Sequence, residues 1–588
     1  MSFYDDASWL LIPSGIKEDV VFAQKPTSGL GDLTFTRASD ATYTDSTGVV
    51  RRSPYNLLQQ SEDFSNAAWS KSASSISSNV TTAPNGTLTA DKLIEDTANT
   101  SHTIFQTISI SASTNYNYSV YLKAAERFRF RIRFTGFSGA QDATVNLNTQ
   151  TTSLGTLTSV GNGWFRFAWS VNSGAGGSST LVAITLQDDS GNSTYLGNGT
   201  SGGFIWGAQL VEGNEALDYF PTTNRQDVPR IDFRNADGTL SSCGRLLLEP
   251  QRTNSIRNSS MVGAVAGSPG TLPTNWNTST AAGLTQTVVA TGIENGLPYV
   301  DLRFNGTASA TSLRFTTETS SGTAALPSQA WTNSAYFKLT AGTLSQITLR
   351  NVYRNSGGGA ITTPQQQFDL TSILTRRVFT DAAAPALTAF IQQEVLATLV
   401  IGTTYDFTIR IAAPQMELGA YATTWVPTTT AAVTRLVDNG QLSNVYTNGL
   451  ISAAGGTWFI DLANNTAVTR DSASGGFYIN TGAVSTSGDG ITLRSIGSPS
   501  RLQIAKVVAN SSTTIYTTTG DSEKIAIKWN GATADVFSNG VKVVTATSFT
   551  TTTMQNLVAN AANRFLNISQ SALFQTPLTD AQCIQLTT

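Results

Sequence analysis

The chain has 588 residues, a formal net charge of −3 and 13% charged residues, about half the share usual in soluble domains. One hydrophobic core does not hold a chain of this length, so we expect three or four domains. The mildly acidic balance gives no global attraction to nucleic acid. The two cysteines, Cys243 and Cys583, are too far apart in the sequence to suggest a disulfide framework and too few for a zinc site.

The first residues favour a connector over an export signal. Asp5 and Asp6 lie where a secretory signal carries Lys or Arg, and no sustained apolar stretch follows them. Apolar runs such as Val395–Ile401 fall far short of the ~20 residues that span a bilayer. We therefore expect no membrane insertion and interpret the turn-rich residues 1–55 as an attachment or connector segment.

Two long segments of the chain repeat the same landmarks in the same order. The spacing from Trp69 to Pro221 matches, within one residue, the spacing from Trp276 to Pro427. Each copy also has a Gln followed by an aromatic-x-Pro-Thr-Thr-type ending. We interpret the two tryptophans as core or cap residues of a repeated module.

Apolar residues alternate with polar ones in each copy, which predicts half-buried β-strands. In Arg127–Phe134 every aromatic or aliphatic side chain points to one face and every arginine to the other. Short strands joined by Gly, Asn and Ser turns are typical of an antiparallel jelly-roll sandwich. We place these modules at residues 56–223 and 254–435, with a linker at 224–253.

The last part of the chain, residues 436–588, predicts a further antiparallel sandwich. Asn530-Gly531 and Asn539-Gly540 lie between alternating segments, and Asn-Gly pairs are strong hairpin signals. Thr579 precedes a short segment that we expect to be a capped helix. The predicted fold class is therefore all-β, with tandem sandwich modules and no long helix.

Several sequence segments resemble the modular virion proteins of tailed bacteriophages, including the phage head spike or fibre domains. They lie at residues 32–43, 56–71, 88–93 and 229–254. In this resemblance the two repeats look like carbohydrate-binding-module jelly rolls, and residues 436–588 look like a concanavalin/laminin-G sandwich.

The resemblance implies a structural virion protein, a head or tail fibre or spike whose modules attach to host-surface glycan. It implies contacts with other capsid or tail proteins, a homo-oligomer that is usually a trimer, and a place in the virion after assembly in the bacterial cytoplasm. Fold likeness does not identify a ligand, so two alternatives stay open. One is a decoration or scaffold protein without a ligand, and the other is a polysaccharide depolymerase.

The residues give little support to catalysis. His102 is the single histidine, which excludes multi-histidine metal sites. Carboxylate pairs hydrolyse glycosides without histidine, and Glu212, Glu215 and Asp218 are candidates, but loop acids are commonly only solvated. Asp188–Asn192 lacks the spacing of a calcium loop and indicates an ordinary turn. We predict no enzyme activity, no metal site and no cofactor.

Candidate glycan contacts lie on two strands of the first module. Trp164 and Arg166 alternate with apolar residues, so both face the polar side of their strand, where an exposed indole stacks on a sugar. Core packing of Trp164 after a strand twist or bulge is the alternative. Arg129 and Arg131 belong to a row of arginines that meets either carboxylates on neighbouring strands or an anionic glycan.

Overall fold

A computed structural model provides the structure of the protein. It describes residues 3–588 except 18, 54–55, 111–114, 138–141, 175–178, 213–215, 217–218, 224–227, 236–237, 463–475, 482–488, 497–500, 509–510, 519–522, 550–553 and 561–565. Almost all regular structure in the described part is antiparallel β-sheet, which confirms the predicted all-β fold of sandwich modules. No helix there has the length and apolar character needed to cross a membrane.

The chain divides into two compact units. One unit comprises Ser53–Gln226, and the other comprises Met1–Arg52 together with Asp227–Thr588. The N-terminal elements are α1 (Phe3–Asp6), β1 (Trp9–Leu11), β2 (Ile16–Lys17), β3 (Val20–Val21), β4 (Leu33–Thr36), β5 (Ala41–Thr44) and β6 (Val50–Ser53).

The first module is a sandwich of two six-stranded sheets and occupies the unit Ser53–Gln226. Sheet orders are β15-β14-β13-β18-β11-β7 and β16-β17-β12-β20-β9-β8. The strands are β7 (Ser70–Ser72), β8 (Ser74–Thr81), β9 (Ala90–Glu95), β10 (Asn99–Thr100), β11 (Thr103–Ser109), β12 (Asn115–Lys123), β13 (Arg129–Phe134), β14 (Asp142–Asn146), β15 (Thr151–Thr152), β16 (Thr156–Gly161), β17 (Trp164–Asn172), β18 (Ser179–Gln187), β19 (Tyr195–Leu196) and β20 (Gly202–Glu212).

The burial of alternate residues in β13 confirms the core face that the sequence predicts for this strand. Phe130, Ile132 and Phe134 are fully buried in the module core, whereas the arginines between them are not. Burial of such side chains stabilises the sandwich by about 1.5–3 kcal/mol each.

The second module repeats this strand order. Its sheets run β24-β27-β34-β30-β31, with β28 and β32 at their side, and β25-β26-β35-β29-β33, which corresponds to β8-β9-β20-β12-β17. The strands here are β21 (Ile231–Arg234), β22 (Leu240–Leu248), β23 (Arg252–Asn254), β24 (Asn277–Thr280), β25 (Thr285–Glu294), β26 (Leu297–Thr307), β27 (Ser312–Thr316), β28 (Thr323–Ala324), β29 (Trp331–Gly342), β30 (Gln346–Arg354), β31 (Ala360–Thr362), β32 (Gln365–Asp369), β33 (Thr375–Asp381), β34 (Phe390–Thr398) and β35 (Thr404–Leu418), of which β21–β23 precede the module proper.

The repeat extends to individual hydrogen bonds. Asn56 Nδ2 donates to Ala208 O at 3.1 Å and to Phe220 O at 3.0 Å, while its Oδ1 accepts from the backbone N–H groups of Leu58 and Leu210, both at 3.1 Å. In the second module Asn254 makes the same four bonds, at 3.0–3.2 Å, with Pro414 O, Val426 O, Ile256 N and Met416 N. Each asparagine fastens the start of its module to the end.

The C-terminal sandwich takes strands from both ends of the chain. Its elements are β36 (Val433–Arg435), β37 (Asn439–Ser443), β38 (Gly456–Leu462), β39 (Gly476–Asn480), β40 (Gly490–Ile496), β41 (Arg501–Val508), β42 (Ser511–Thr517), β43 (Glu523–Trp529), β44 (Thr533–Ser538), β45 (Val541–Ser548), β46 (Asn556–Asn560), β47 (Leu566–Phe574) and α2 (Asp580–Thr587), of which β36 pairs with β23 outside the two sheets. The sheets run β21-β22-β47-β38-β43-β44-β45, with β1 beside β47, and β2-β3-β4-β37-β46-β39-β40-β41-β42.

Both segments that we expected to be connectors therefore belong to folded sheets. In residues 1–55, β1 pairs with β47 so that Trp9 lies opposite Leu573, and in residues 224–253, β22 pairs with the same strand. The buried Trp9 indole donates to Gly31 O at 2.7 Å. The expectation failed because β1 and β22 both pair with β47, a strand far from them in the chain, and local pattern does not indicate such a partner.

The local signals near the C-terminus are confirmed. Asn539 and Gly540 have φ angles of 46° and 78° at the turn between β44 and β45, the left-handed region that this hairpin turn requires. Thr579 caps α2, since its hydroxyl accepts from Gln582 N and the Gln582 side chain bonds back to the cap.

A buried charge cluster lies where the second module meets the C-terminal sandwich. Arg230 Nη1 donates to Glu249 Oε2 at 2.7 Å, and Arg230 Nη2 bonds to Asp438. Arg37 reaches Asp438 at 3.0 Å and Arg435 reaches Glu249 at 2.9 Å. All five side chains are inaccessible to solvent, and each charge is held by an opposite one.

Candidate functional site

The Trp164 side chain is buried, with 1% of its surface exposed. As the alternation predicts, the Trp164 ring points away from the main core of the first module. Other residues of the module cover it on that face of the sheet. Its Nε1 donates to Thr82 O at 2.9 Å, and the ring packs with Ala83, Ala90 and Trp206. The expected exposed platform is therefore wrong for Trp164, because the segment between β8 and β9 closes over the ring.

Arg166 forms a contact that both modules share. Its Nη2 donates to Ser119 Oγ at 3.0 Å, and its guanidinium lies 5.5 Å from the ring centre of Tyr121. In the second module Arg376 does the same with Ser334, at 2.8 Å, and with Tyr336, at 5.8 Å. Such a pair stabilises the sheet face in both copies.

The arginine row meets carboxylates on its own module. Arg131 makes a two-point contact with Asp142, at 2.8 and 2.9 Å, and Arg127 makes one with Glu95, at 2.8 and 2.9 Å. Arg129 has no carboxylate partner among the described residues and lies 5.8 Å from the Phe128 ring centre. The ion-pair alternative is confirmed for Arg131, while glycan contact by this row stays a prediction.

The structure does not bring the four predicted contacts together. Trp164 and Arg166 lie on β17 in one sheet of the sandwich, and Arg129 and Arg131 lie on β13 in the other sheet.

The residues that we weighed for catalysis form no site in the described part. His102 is fully buried and its ring nitrogens face the carbonyl oxygens of Ala73 and Tyr195. Asp188 accepts from the backbone and side chain of Asn192 in a turn. Of the loop acids, Glu215 and Asp218 lie outside the described residues, and so does the side chain of Glu212.

An open groove of about 440 Å³ lies on the second module, within the ~300–1,000 Å³ usual for small-ligand sites. It is lined by tryptophan, amide, hydroxyl, carboxylate and guanidinium side chains, those of Asn275, Trp276, Asn277, Thr316, Glu318, Thr319, Ser320, Arg354, Gln392 and Glu394. None of these was predicted as a ligand contact from the sequence.

Strand register explains why these residues share one face. Asn277 on β24 pairs with Thr316 on β27, and Thr316 pairs with Glu394 on β34, so the three form a row across the sheet. Their sequence neighbours Phe315 and Val395 are buried in the core, which leaves the row on the outer face. The groove is therefore built on rigid strands.

Glu318, an acid of the groove, is held in its charged form. Arg257 donates to both Glu318 oxygens, at 3.0 and 2.6 Å, and Thr319 N adds a bond of 2.7 Å. Burial alone would raise the pKa of Glu318, but these hydrogen bonds outweigh it and lower the pKa below its ordinary value. Glu394 is bound by Arg350 Nε at 2.9 Å.

Trp276 forms one wall of the groove and is 7% exposed. Its Nε1 is buried and has no hydrogen-bond partner among the described residues. The corresponding Trp69 of the first module donates to Gln60 O at 2.9 Å. The repeat marked Trp276 in the sequence, and Asn275 and Asn277 flank it, but the other lining residues are far from it in the chain and carry no local signal.

No family model matches the sequence, and no curated protein matches it. Among solved structures, it is similar to the CBM22-1–CBM22-2 tandem of Paenibacillus barcinonensis Xyn10C, with 10% identity, 62% of this chain and 98% of that chain covered, and a TM-score of 0.23. A CBM4 structure has 13% identity, 27% and 99% coverage and a TM-score of 0.17.

The tripod (BppUct-A-L) from the baseplate of bacteriophage Tuc2009 has 12% identity, covers 47% of this chain and 96% of that chain, and has a TM-score of 0.18.

Proposed function

We propose that the protein is a structural component of a tailed-phage virion, a head or tail fibre or spike that binds host-surface glycan. In this proposal it has no catalytic activity, assembles as a trimer with other capsid or tail proteins in the host cytoplasm, and displays its sandwich modules on the particle. The sequence phrases shared with phage spike domains and the modular all-β fold support this role.

The groove of the second module carries the binding part of the proposal. Saccharides present hydroxyl groups that need both donors and acceptors at fixed positions. The row Asn277–Thr316–Glu394 supplies amide, hydroxyl and carboxylate groups on one sheet face, beside the Trp276 ring. Several copies of a weak site on one particle bind a cell far more tightly than one copy does.

Adsorption of the purified full-length chain to host cells tests this function. Asn277 and Ser320 are exposed, so the double variant Asn277→Ala/Ser320→Ala leaves the core intact while it removes groove contacts. We expect at least about fivefold weaker adsorption, since two lost hydrogen bonds at ~0.5–1.5 kcal/mol each total at least ~1 kcal/mol. Asn305→Ala, an exposed asparagine on β26 in the other sheet of the same module, is the control.

Two results would contradict the proposal. One is equal adsorption of the double variant and the Asn305→Ala control. The other is release of reducing ends from host polysaccharide, which would identify a depolymerase instead.

A further inference from the structure

The charges that line the groove are unequally neutralised. Glu318 and Glu394 line it, and each is bound by an arginine that lies outside the lining, Arg257 and Arg350 respectively. Arg354 is the remaining charged residue of the described lining. The groove therefore presents one positive charge that its own carboxylates do not balance.

Arg354 bonds only to neutral acceptors in the described part of the chain. Its Nη1 donates to Gly358 O at 3.0 Å and its Nη2 donates to Gln392 Oε1 at 3.0 Å. A guanidinium has five N–H donors, so three of them have no partner there. Gln392 is itself fixed by a bond from its Nε2 to Glu318 O at 2.6 Å, which holds the guanidinium in place.

Resting on the glycan binding proposed above, the geometry points to an acidic saccharide as the ligand, with its uronic-acid carboxylate paired to Arg354. A planar guanidinium donates to both oxygens of a carboxylate, and such charge-assisted bonds are about twice as strong as neutral ones. A neutral sugar leaves the charge of Arg354 uncompensated at the groove wall.

The ligand itself provides the first test. The full-length chain is titrated with oligogalacturonides and oligoglucuronides and with their methyl esters, which remove the charge and leave the protein unchanged. We expect the free acid to bind three- to tenfold more tightly than the methyl ester. This ratio of affinities should fall with added salt, because salt screens the partly exposed pair of Arg354 and carboxylate.

Variants then assign the preference to its residue. In Arg354→Gln we expect the free acid and its methyl ester to bind with equal affinity. Arg354→Lys keeps the charge and should retain part of the preference for the acid. Arg303→Gln is the matched control, because Arg303 lies on the other sheet, is 47% exposed and pairs with Asp406. Thermal unfolding establishes that each variant is folded.

The outcomes separate this inference from the proposed function. Equal affinity for acid and ester, or binding of neutral host glycan alone, overturns the acidic ligand and leaves glycan binding standing. A ratio that survives in Arg354→Gln overturns the role of Arg354. Absence of binding to these saccharides and to any host glycan contradicts both.

Discussion

Trp69 and Trp276 occupy corresponding positions in the two modules but differ in one hydrogen bond. Trp69 Nε1 donates to Gln60 O at 2.9 Å, whereas Trp276 Nε1 is buried without a partner among the described residues. A buried donor without an acceptor costs ~1–3 kcal/mol. In the second module this unpartnered donor lies at the wall of the groove.

The asparagine that closes each module is expected to dominate its stability. Asn254→Ala leaves four buried backbone groups without partners, so we expect the free energy of unfolding to fall by about 2–4 kcal/mol. Asn56→Ala has the same effect on the first module. Urea unfolding followed by tryptophan fluorescence measures both. If Asn254→Ala is no more destabilising than the exposed Asn305→Ala, the hydrogen bonds of Asn254 do not stabilise the module.

Acid is expected to weaken the buried charge cluster through Glu249. Burial raises the pKa of this carboxyl, but Arg435, Arg230 and hydrogen bonds from Thr424 outweigh it and lower the pKa to about 2. Because the pKa of Glu249 is lower in the folded state than the unfolded value of ~4.3, its ionised carboxylate stabilises the folded protein at pH values above ~4.3. This contribution to the free energy of unfolding is lost as the pH falls toward 2.

Glu249→Gln removes that dependence. The stability difference between wild type and Glu249→Gln, measured as Tm against pH, should be full above pH ~5 and shrink toward pH 2. A difference that is constant over this range would contradict the assignment, and the exposed Asp6→Asn serves as the control.

Asp91 is expected to act in the opposite direction in the first module. Burial raises its pKa to about 6, although Phe64 N and Asn79 N donate to it, both at 2.9 Å. Because its folded pKa lies above the unfolded value of ~3.9, folding becomes less favourable as the pH rises through 4 to 6. Unfolding of Asp91→Asn at pH 7, 6 and 5 should lack this slope, and an unchanged slope would assign it to another group.

Trp164→Ala tests the buried position of a residue for which the sequence left both glycan contact and core packing open. We expect a loss of about 3–5 kcal/mol, from the cavity and from the lost bond to Thr82 O. Leu88→Ala, at a residue that is 63% exposed, should change stability by less than ~0.5 kcal/mol. Adsorption per folded molecule should not change in Trp164→Ala, and weaker adsorption would restore this ring as a glycan contact.

Local pattern accounts for what the sequence predicted correctly. The alternation around Phe130 and Ile132, the Asn539-Gly540 turn and the cap at Thr579 depend on neighbouring residues, and all appear as expected. The repeat was readable because a duplicated module keeps its landmarks at a constant spacing.

Long-range contacts account for what the sequence did not predict. The pairing of Trp9 with Leu573 joins opposite ends of the chain, and nothing in the short strand around Trp9 indicates its partner. The groove likewise depends on the register of β24, β27 and β34, which brings Asn277, Thr316 and Glu394 into one row. Alternation predicts which face a side chain takes but not whether another segment covers that face, as at Trp164.

The central claim is that the groove beside Trp276 holds host glycan. The most direct measurement is a crystal structure of the full-length chain soaked with oligosaccharides released from the host surface. We expect saccharide density between Trp276 and Arg354, in contact with Asn277. Saccharide bound only elsewhere on the protein, with this groove empty at saturating ligand, would contradict it.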